Sequence, residues 1–426
     1  MHTLAVARSV HGIEPLVAAE INRSGLGSVR ELRHREVWFE VIGPALPGLR
    51  TADDMLLVAA VVDGVGHGRA ALRRLARAAR ELDTGRLGEP GAELAPEAFR
   101  REPGAEPALE VSASFVGRRN YTRFEIEDAV GTELGSRLRL PYHSRAGGAV
   151  PPRGAMAWRV TIEGDRALIA RRAGRAPLHR RPYKLASVRG TLHPPLAAAM
   201  AQLGGLAELG GPREPGRLDG PHGLDGPHGI AGPGGLDRSH WIAGSGAGHS
   251  VLDPCCGAGT TLIEAYALAP HARLLGLDHD PRAIAAATAN ATRLRGSLPG
   301  PGHSSDHGLR HGLDHGLDHG GPPGRLAWAV ADGGRLPVAT GSVRRVLVNP
   351  PWGLQVPPAG RLARDPRLLW REVRRVLADD GVVVALRYDA PHDPPGFMAE
   401  RRVEVSLSGR HPVISVLRKR GRASRG

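Results

Sequence analysis

Apolar and polar positions change period several times along the first 180 residues. Residues 12–23 carry apolar side chains at helical spacing and halt at Gly25, so a short helix is expected over Gly12–Arg23. Val37, Phe39 and Val41 alternate with their neighbours as the inner face of a strand does. An arginine-rich helix is expected over Arg69–Leu82, a strand at Leu109–Phe115, a helix over Glu125–Leu138 and a strand at Trp158–Ile162. Helices and strands mixed in this order predict two small α+β units.

From Thr191 onward short apolar strands alternate with helices, the pattern of a mostly parallel α/β sheet. Strands are expected at Ser250–Asp253, Arg273–Leu277, Leu326–Ala331 and Val343–Val348, and helices at Leu262–Leu268, Pro281–Gly296 and Pro366–Leu377. Asp278 and Asp332, just past the second and third strands, lie 54 residues apart, too many for one helix and one strand. Removing a 29-residue low-complexity run, 296–324, leaves 25, which repeats the Asp253 to Asp278 interval, so the run is an insertion in a loop of an intact sheet. A second such run, 204–240, repeats Leu-Asp-Gly-Pro-His-Gly and reads as a linker, too rich in glycine and proline to offset its own ordering entropy. In 296–324, His303, His307, His311, His315 and His319 recur every fourth residue. A helix would stack them as metal ligands, but glycine in nearly every tetrad disfavours that helix, and no metal is expected. The expected division is 1–65, 66–184, 185–420 with its two insertions, and a basic tail at 421–426.

Composition narrows the partners. Hydrophobic residues make up 41% of the 426, enough for folded cores, yet the longest dense apolar run, Met55–Val62, is far below the ~20 residues of a membrane helix. The N-terminus has no secretory pattern, and a cytosolic monomer is expected. Only two cysteines occur, adjacent at Cys255 and Cys256, which excludes a disulfide framework and a cysteine-based zinc site. The net charge of +14, almost entirely arginine, favours a polyanionic partner. The segment from Arg166 to Arg189 holds eight basic residues and no acid, and Arg410, Arg418, Lys419, Arg420, Arg422 and Arg425 follow the last acid, Glu404.

The chemistry gathers at strand ends. Ser250-Val-Leu-Asp253 runs into Pro-Cys-Cys-Gly257-Ala-Gly259-Thr260-Thr261 and then a helix, a strand–glycine turn–helix arrangement suited to a nucleotide. Asp278 ends the second strand, where a carboxylate can hold a ribose, and Asp280 with Pro281 opens the next helix. The fourth strand delivers Asn349-Pro350-Pro351-Trp352-Gly353. There the Asn349 amide oxygen and the Pro350 carbonyl can accept from one amino group, while Trp352 offers a plane on which a base stacks. Cys255 and Cys256 read as small packing residues and Trp370 as core.

These residues resemble the S-adenosylmethionine-dependent amino-methyltransferases, whose Asp-Pro-x-Cys-Gly-x-Gly and (Asn/Asp)-Pro-Pro-aromatic motifs both occur. Asp-Pro-x-Cys-Gly-x-Gly-Thr followed by Ile263-Glu264-Ala265 is similar to the THUMP-associated RNA methyltransferases. So are Pro177-Leu-His-Arg180-Arg181-Pro-Tyr183-Lys184 and Gly190-Thr-Leu-His-Pro-Pro-Leu-Ala197, while Ser114-Phe115, Arg118-Arg119, Phe124 and Val130-Gly131 resemble the THUMP domain. The tRNA guanine-N2-methyltransferases are the relatives implied. Cys255 stands where Phe or Met is usual, and Trp352 where Tyr is commoner. The resemblance implies an α/β, Rossmann-like class I methyltransferase domain preceded by ferredoxin-like and THUMP-like domains. It implies S-adenosylmethionine as cofactor, with Asp253, Gly257, Gly259 and Thr260 at its methionine end, Asp278 at the ribose and Asp332 at the adenine amino group. It also implies Asn349, Pro350, Pro351 and Trp352 at the reacting amine, and tRNA as partner with rRNA as the second RNA, held by Arg118, Arg119, Arg180, Arg181 and Lys184. Three alternatives stay open: an enzyme for DNA adenine N6, one for protein glutamine N5, and a non-catalytic RNA-binding protein.

Overall fold

The computed structural model describes residues 3–42, 48–83, 108–152, 154–209, 250–295, 326–351, 356–388, 392–407 and 409–421. They divide into two compact units, 1–181 with 405–409, and 182–404 with 410–426. The insertion 296–324, most of the run 204–240, Trp352 and the tail beyond Gly421 fall outside the described residues.

The N-terminal unit is built on one eight-stranded sheet. Its strands are β1 (Thr3–Arg8), β2 (Gly27–Arg33), β3 (Glu36–Val41), β4 (Asp54–Val62), β5 (Leu109–Phe115), β6 (Tyr142–His143), β7 (Met156–Glu163) and β8 (Arg166–Arg172), in the order β2-β3-β1-β4-β8-β7-β5-β6. Alternate residues of these strands meet the helices α1 (Glu14–Arg23), α2 (Ala70–Arg80) and α3 (Arg123–Leu138) in one core: Ala5, Phe39, Leu57, Val160 and Ile169 pack with Ile21, Leu75 and Ile126. The opposite face carries Val6, Trp38, Leu56, Leu168 and Ala170. The two small units expected at 1–65 and 66–184 therefore share one sheet and one core, because β4 and β8 pair antiparallel at its centre.

Local sequence accounts for the ends of these elements. Helix α3 starts two residues before its expected Glu125, since Thr122 and Glu125 form a capping box: the Glu125 N–H donates to Thr122 Oγ1 at 3.3 Å and the Thr122 N–H to Glu125 Oε2 at 2.8 Å. The basic run beginning at Arg166 is in its first seven residues an interior strand. Arg172 is paired with Asp54 at 2.9 Å, Arg166 lies over the Trp38 ring, and burial lowers the Arg171 pKa. Arg171 and Arg172 are thereby spent on the sheet, while the Arg166 side chain stays 40% exposed.

The C-terminal unit begins with α4 (Pro194–Leu203) and a further turn, α5 (Leu206–Leu209), whose buried Leu206 carries ordered structure into the run expected to be linker from Gly204. The order continues β9 (Ser250–Asp253), α6 (Thr260–Leu268), β10 (Arg273–Asp278), α7 (Pro281–Arg295), β11 (Leu326–Val330), β12 (Val343–Val348), α8 (Arg367–Val376), β13 (Leu377–Arg387), β14 (Phe397–Glu404) and β15 (Val413–Lys419). Seven strands run β11-β10-β9-β12-β13-β15-β14; the first five are mutually parallel, and β15 is antiparallel to both neighbours. From β9 the chain winds outward to β10 and β11, and from β12 in the other direction. The strand order reverses between β9 and β12, and the carboxyl ends of strands at such a switch point are where doubly wound sheets bind ligands. Trp370 packs edge-on to Phe397 with ring centroids 6.0 Å apart, the core role expected of it. Among the described residues no helix is long and apolar enough to cross a membrane.

Candidate active site

Asp253 is the last residue of β9 and is 1% exposed. Its Oδ1 accepts from the Cys255 N–H at 3.0 Å, yet burial dominates and pushes the carboxyl up to about 7, with the nearby Asp278 charge adding to the shift. The turn that follows is held to the neighbouring strand: the Cys256 N–H donates to the Leu277 carbonyl at 2.9 Å and the Gly257 N–H to Asp278 Oδ2 at 2.9 Å. Burial pushes both cysteine thiols well above their usual range, so they stay protonated and pack.

Two glycines make the turn possible. Gly257 has φ +52°, and a Cβ there would meet nothing nearer than Val188 Cγ2 at 3.6 Å, so space lies open above it. Gly259 has φ +80°, and a Cβ would fall 2.6 Å from the Trp328 ring of β11. Thr260 opens α6; its Oγ1 is buried and has no hydrogen-bond partner among the described residues. A glycine cradle, an orphan hydroxyl and a buried carboxylate at a helix N-terminus fit the polar amino-acid end of S-adenosylmethionine.

Asp278 ends β10. Besides Gly257, it accepts from the Asp280 N–H at 3.0 Å and lies 3.3 Å from His279 Nδ1. A carboxylate has about four acceptor positions, which leaves room for a ribose hydroxyl. Asp280 caps α7 as expected, accepting from the Arg282 N–H at 2.9 Å. Asp332 stands just beyond β11, its Oδ1 accepting from Gly334 N–H at 2.7 Å and its Oδ2 from Arg361 N–H at 2.8 Å, so the carboxylate also braces two loops.

Asn349 follows the last residue of β12, the strand beside β9. Its Nδ2 donates to the Gly190 carbonyl at 3.5 Å, which turns the amide nitrogen toward residues 188–191. Pro350 is buried and Pro351 half-buried. Trp352 lies outside the described residues.

The basic candidates separate by exposure and partner. Arg118 and Arg180 are exposed. Arg119 donates to the carbonyls of Val65, Gly66 and Gly164, and Arg181 to those of Leu178 and Arg50, so both guanidinium groups brace loops of the N-terminal unit. Lys184 is half-buried, and burial lowers its pKa. Among the described residues no group of three or more His, Cys, Asp or Glu side chains is placed to hold a metal.

Sequence reading passed over Asn290 and Trp328, and quoted Tyr183 in a motif without giving it a role. Asn290 is fully buried in α7, seven residues after Ala283 and four before Leu294, and so on the helix's inner face. A polar residue on an apolar stripe was the available signal. Tyr183 Oη donates to the buried Glu264 Oε1 at 2.8 Å.

Residues 240–406 match the sequence model of the UPF0020 family (RMKL-like, methyltransferase domain). No curated protein matches the chain. Among solved structures, TrmN from Thermus thermophilus superposes with a TM-score of 0.63 and 23% identity, covering 98% of this chain and 100% of its own. A predicted N6-adenine-specific DNA methylase from Listeria monocytogenes gives 0.59 and 16%, covering 97% and 96%. SMU.472 complexed with SAH gives 0.58 and 14%, covering 99% of each. At such identities these structures share the fold. The C-terminal domain is thus an α/β methyltransferase domain, and its cofactor is S-adenosylmethionine.

Proposed function

We propose that the chain transfers a methyl group to the exocyclic N2 amine of a guanosine in structured RNA, with tRNA as the substrate. The observation that carries the reading is the Asn349 amide. Its nitrogen is turned to the Gly190 carbonyl, and Asn349 stands at the carboxyl end of β12, the strand that pairs with β9 and its turn after Asp253. In this reading the amide oxygen is the acceptor for the incoming amine, with the Pro350 carbonyl as the second.

S-adenosylmethionine supplies a methyl group already activated on a sulfonium. The protein's task is alignment and charge. Asp253, Gly257, Gly259 and Thr260 hold the amino-acid end, and Asp278 and Asp332 the nucleoside. The lone pair of guanine N2 is delocalised into the ring; two acceptors on its hydrogens favour a more tetrahedral nitrogen and stabilise the positive charge that develops there. Asn349 has no basic site, so the proton leaves to water. The choice of RNA is supported by the +14 charge and by the fold shared with TrmN along almost the whole chain.

The test compares modified nucleosides in tRNA, rRNA and DNA from cells with the protein, without it, and with Asn349→Ala. Loss of N2-methylguanosine from tRNA, unrestored by the Ala variant, is expected. A change confined to N6-methyladenine in DNA overturns the substrate, and full restoration by the Ala variant overturns the role of Asn349.

A further inference from the structure

The Asn290 side chain is 0% exposed, and all four of its hydrogen-bonding positions are taken by backbone. Its Oδ1 accepts from the Leu185 and Ala186 N–H groups at 2.9 Å each, and its Nδ2 donates to the Ala186 and Ala258 carbonyls at 3.0 Å each. Ala258 sits between the two glycines of the cofactor turn. One amide therefore ties that turn to the segment at 185–186.

That segment leads directly to the site. Val188 Cγ2 is the atom facing the Gly257 cradle. Thr191 Oγ1 closes the next turn, accepting from the Val188 N–H at 2.9 Å and donating to the Val188 carbonyl at 2.6 Å. Inside that turn the Gly190 carbonyl receives the Asn349 amide nitrogen. We infer that Asn290 is a positioning residue for methyl transfer: it registers residues 185–190 against the cofactor turn and, through the Gly190 carbonyl, fixes which amide atom of Asn349 faces the substrate amine. The part concerning Asn349 rests on the function proposed above; the part concerning the cofactor turn does not.

The test uses the full-length protein, with Asn290→Ala, Thr191→Val, Asn349→Ala and the two double variants carrying Asn349→Ala. S-adenosylhomocysteine affinity is measured by calorimetry, and kcat and KM on bulk tRNA. Asn290→Ala strips the side-chain partner from four backbone groups, the Ala258 carbonyl of the cofactor turn among them, and is expected to weaken S-adenosylhomocysteine binding about tenfold and lower kcat, with KM for tRNA unchanged. Thr191→Val loosens only the distal turn, so kcat falls while S-adenosylhomocysteine affinity holds; if Asn290→Ala does not fold, Thr191→Val decides the route through Gly190 and Asn290→Asp, which loses both donors, decides the clamp. Each loss in kcat should vanish in the Asn349→Ala background. Losses that simply add overturn the route through Asn349, and unchanged S-adenosylhomocysteine affinity in folded Asn290→Ala overturns the clamp on the turn. If the wild-type protein methylates no tRNA, the proposed substrate fails, while the affinity arm still tests the clamp.

Discussion

The Tyr183 hydroxyl donates to Glu264 Oε1 at 2.8 Å, with Tyr183 3% and Glu264 0% exposed, so the first residues of the C-terminal unit are pinned to the helix behind the cofactor turn. Tyr183→Phe keeps the ring and removes the donor. A buried carboxylate deprived of a partner costs about 1–3 kcal/mol, so the unfolding free energy of this unit should fall by that amount and its urea midpoint move to lower denaturant. An unchanged midpoint would show the bond to be energetically idle.

Asp253 carries a pH signature. Its folded-state carboxyl titrates at about 7 against a reference of 3.8, so the fold binds the proton more tightly than the unfolded chain. Without ligand, its contribution to stability is fully present below pH 3.8 and falls as pH rises to about 7. Binding of the cofactor's ammonium end asks for the charged form and should show the opposite slope. Affinity for S-adenosylhomocysteine is expected to rise about tenfold per pH unit up to 7 and level off above, and Asp253→Asn should abolish the slope. Calorimetry between pH 6 and 8 checks both.

Gly259 and Gly257 should respond differently to alanine. At Gly259 the new methyl would lie 2.6 Å from the Trp328 ring at a φ of +80°, so clash and backbone strain add. A loss of about 2–4 kcal/mol in stability is expected, with cofactor binding lost as the turn shifts. At Gly257 the space is open, so Gly257→Ala should cost only about 1–2 kcal/mol of backbone strain while still obstructing the ligand. Thermal unfolding with and without S-adenosylhomocysteine separates the two.

Arg180 and Arg181 are neighbours with different expected phenotypes. Arg180 is exposed, and Arg180→Ala should weaken tRNA binding with a salt slope reduced by about 1 and stability unchanged. Arg181 braces the Leu178 and Arg50 carbonyls, so Arg181→Ala should lower the stability of the N-terminal unit. Filter binding at two salt concentrations, with a melt of each variant, tells them apart.

Four of the seven strands of the C-terminal sheet, β9 to β12, were legible in the sequence, because three of them run into a polar residue that a buried strand does not tolerate in its middle: Asp253, Asp278 and Asn349. The spacing argument recovered β11 across the insertion. The N-terminal sheet was less so. Strands β1, β4 and β8 are buried on both faces at its centre and lack a period-two signal, and the arginines of β8 imitate a solvated basic run. Asn290 escaped because a polar residue on an apolar stripe does not name its partners, which lie 32 to 105 positions away.

Arg172 of β8 pairs with Leu56 of β4 across 116 residues of chain. During synthesis at about 5–20 residues per second, β4 waits on the order of ten seconds with one edge unpaired. Its sequence, Asp-Met-Leu-Leu-Val-Ala-Ala-Val-Val, is the longest dense apolar run in the protein and the kind of edge that recruits other strands. The pairing that unites the N-terminal unit therefore also sets its most exposed moment, and slow translation between residues 62 and 166 is where nascent chains of this protein would aggregate.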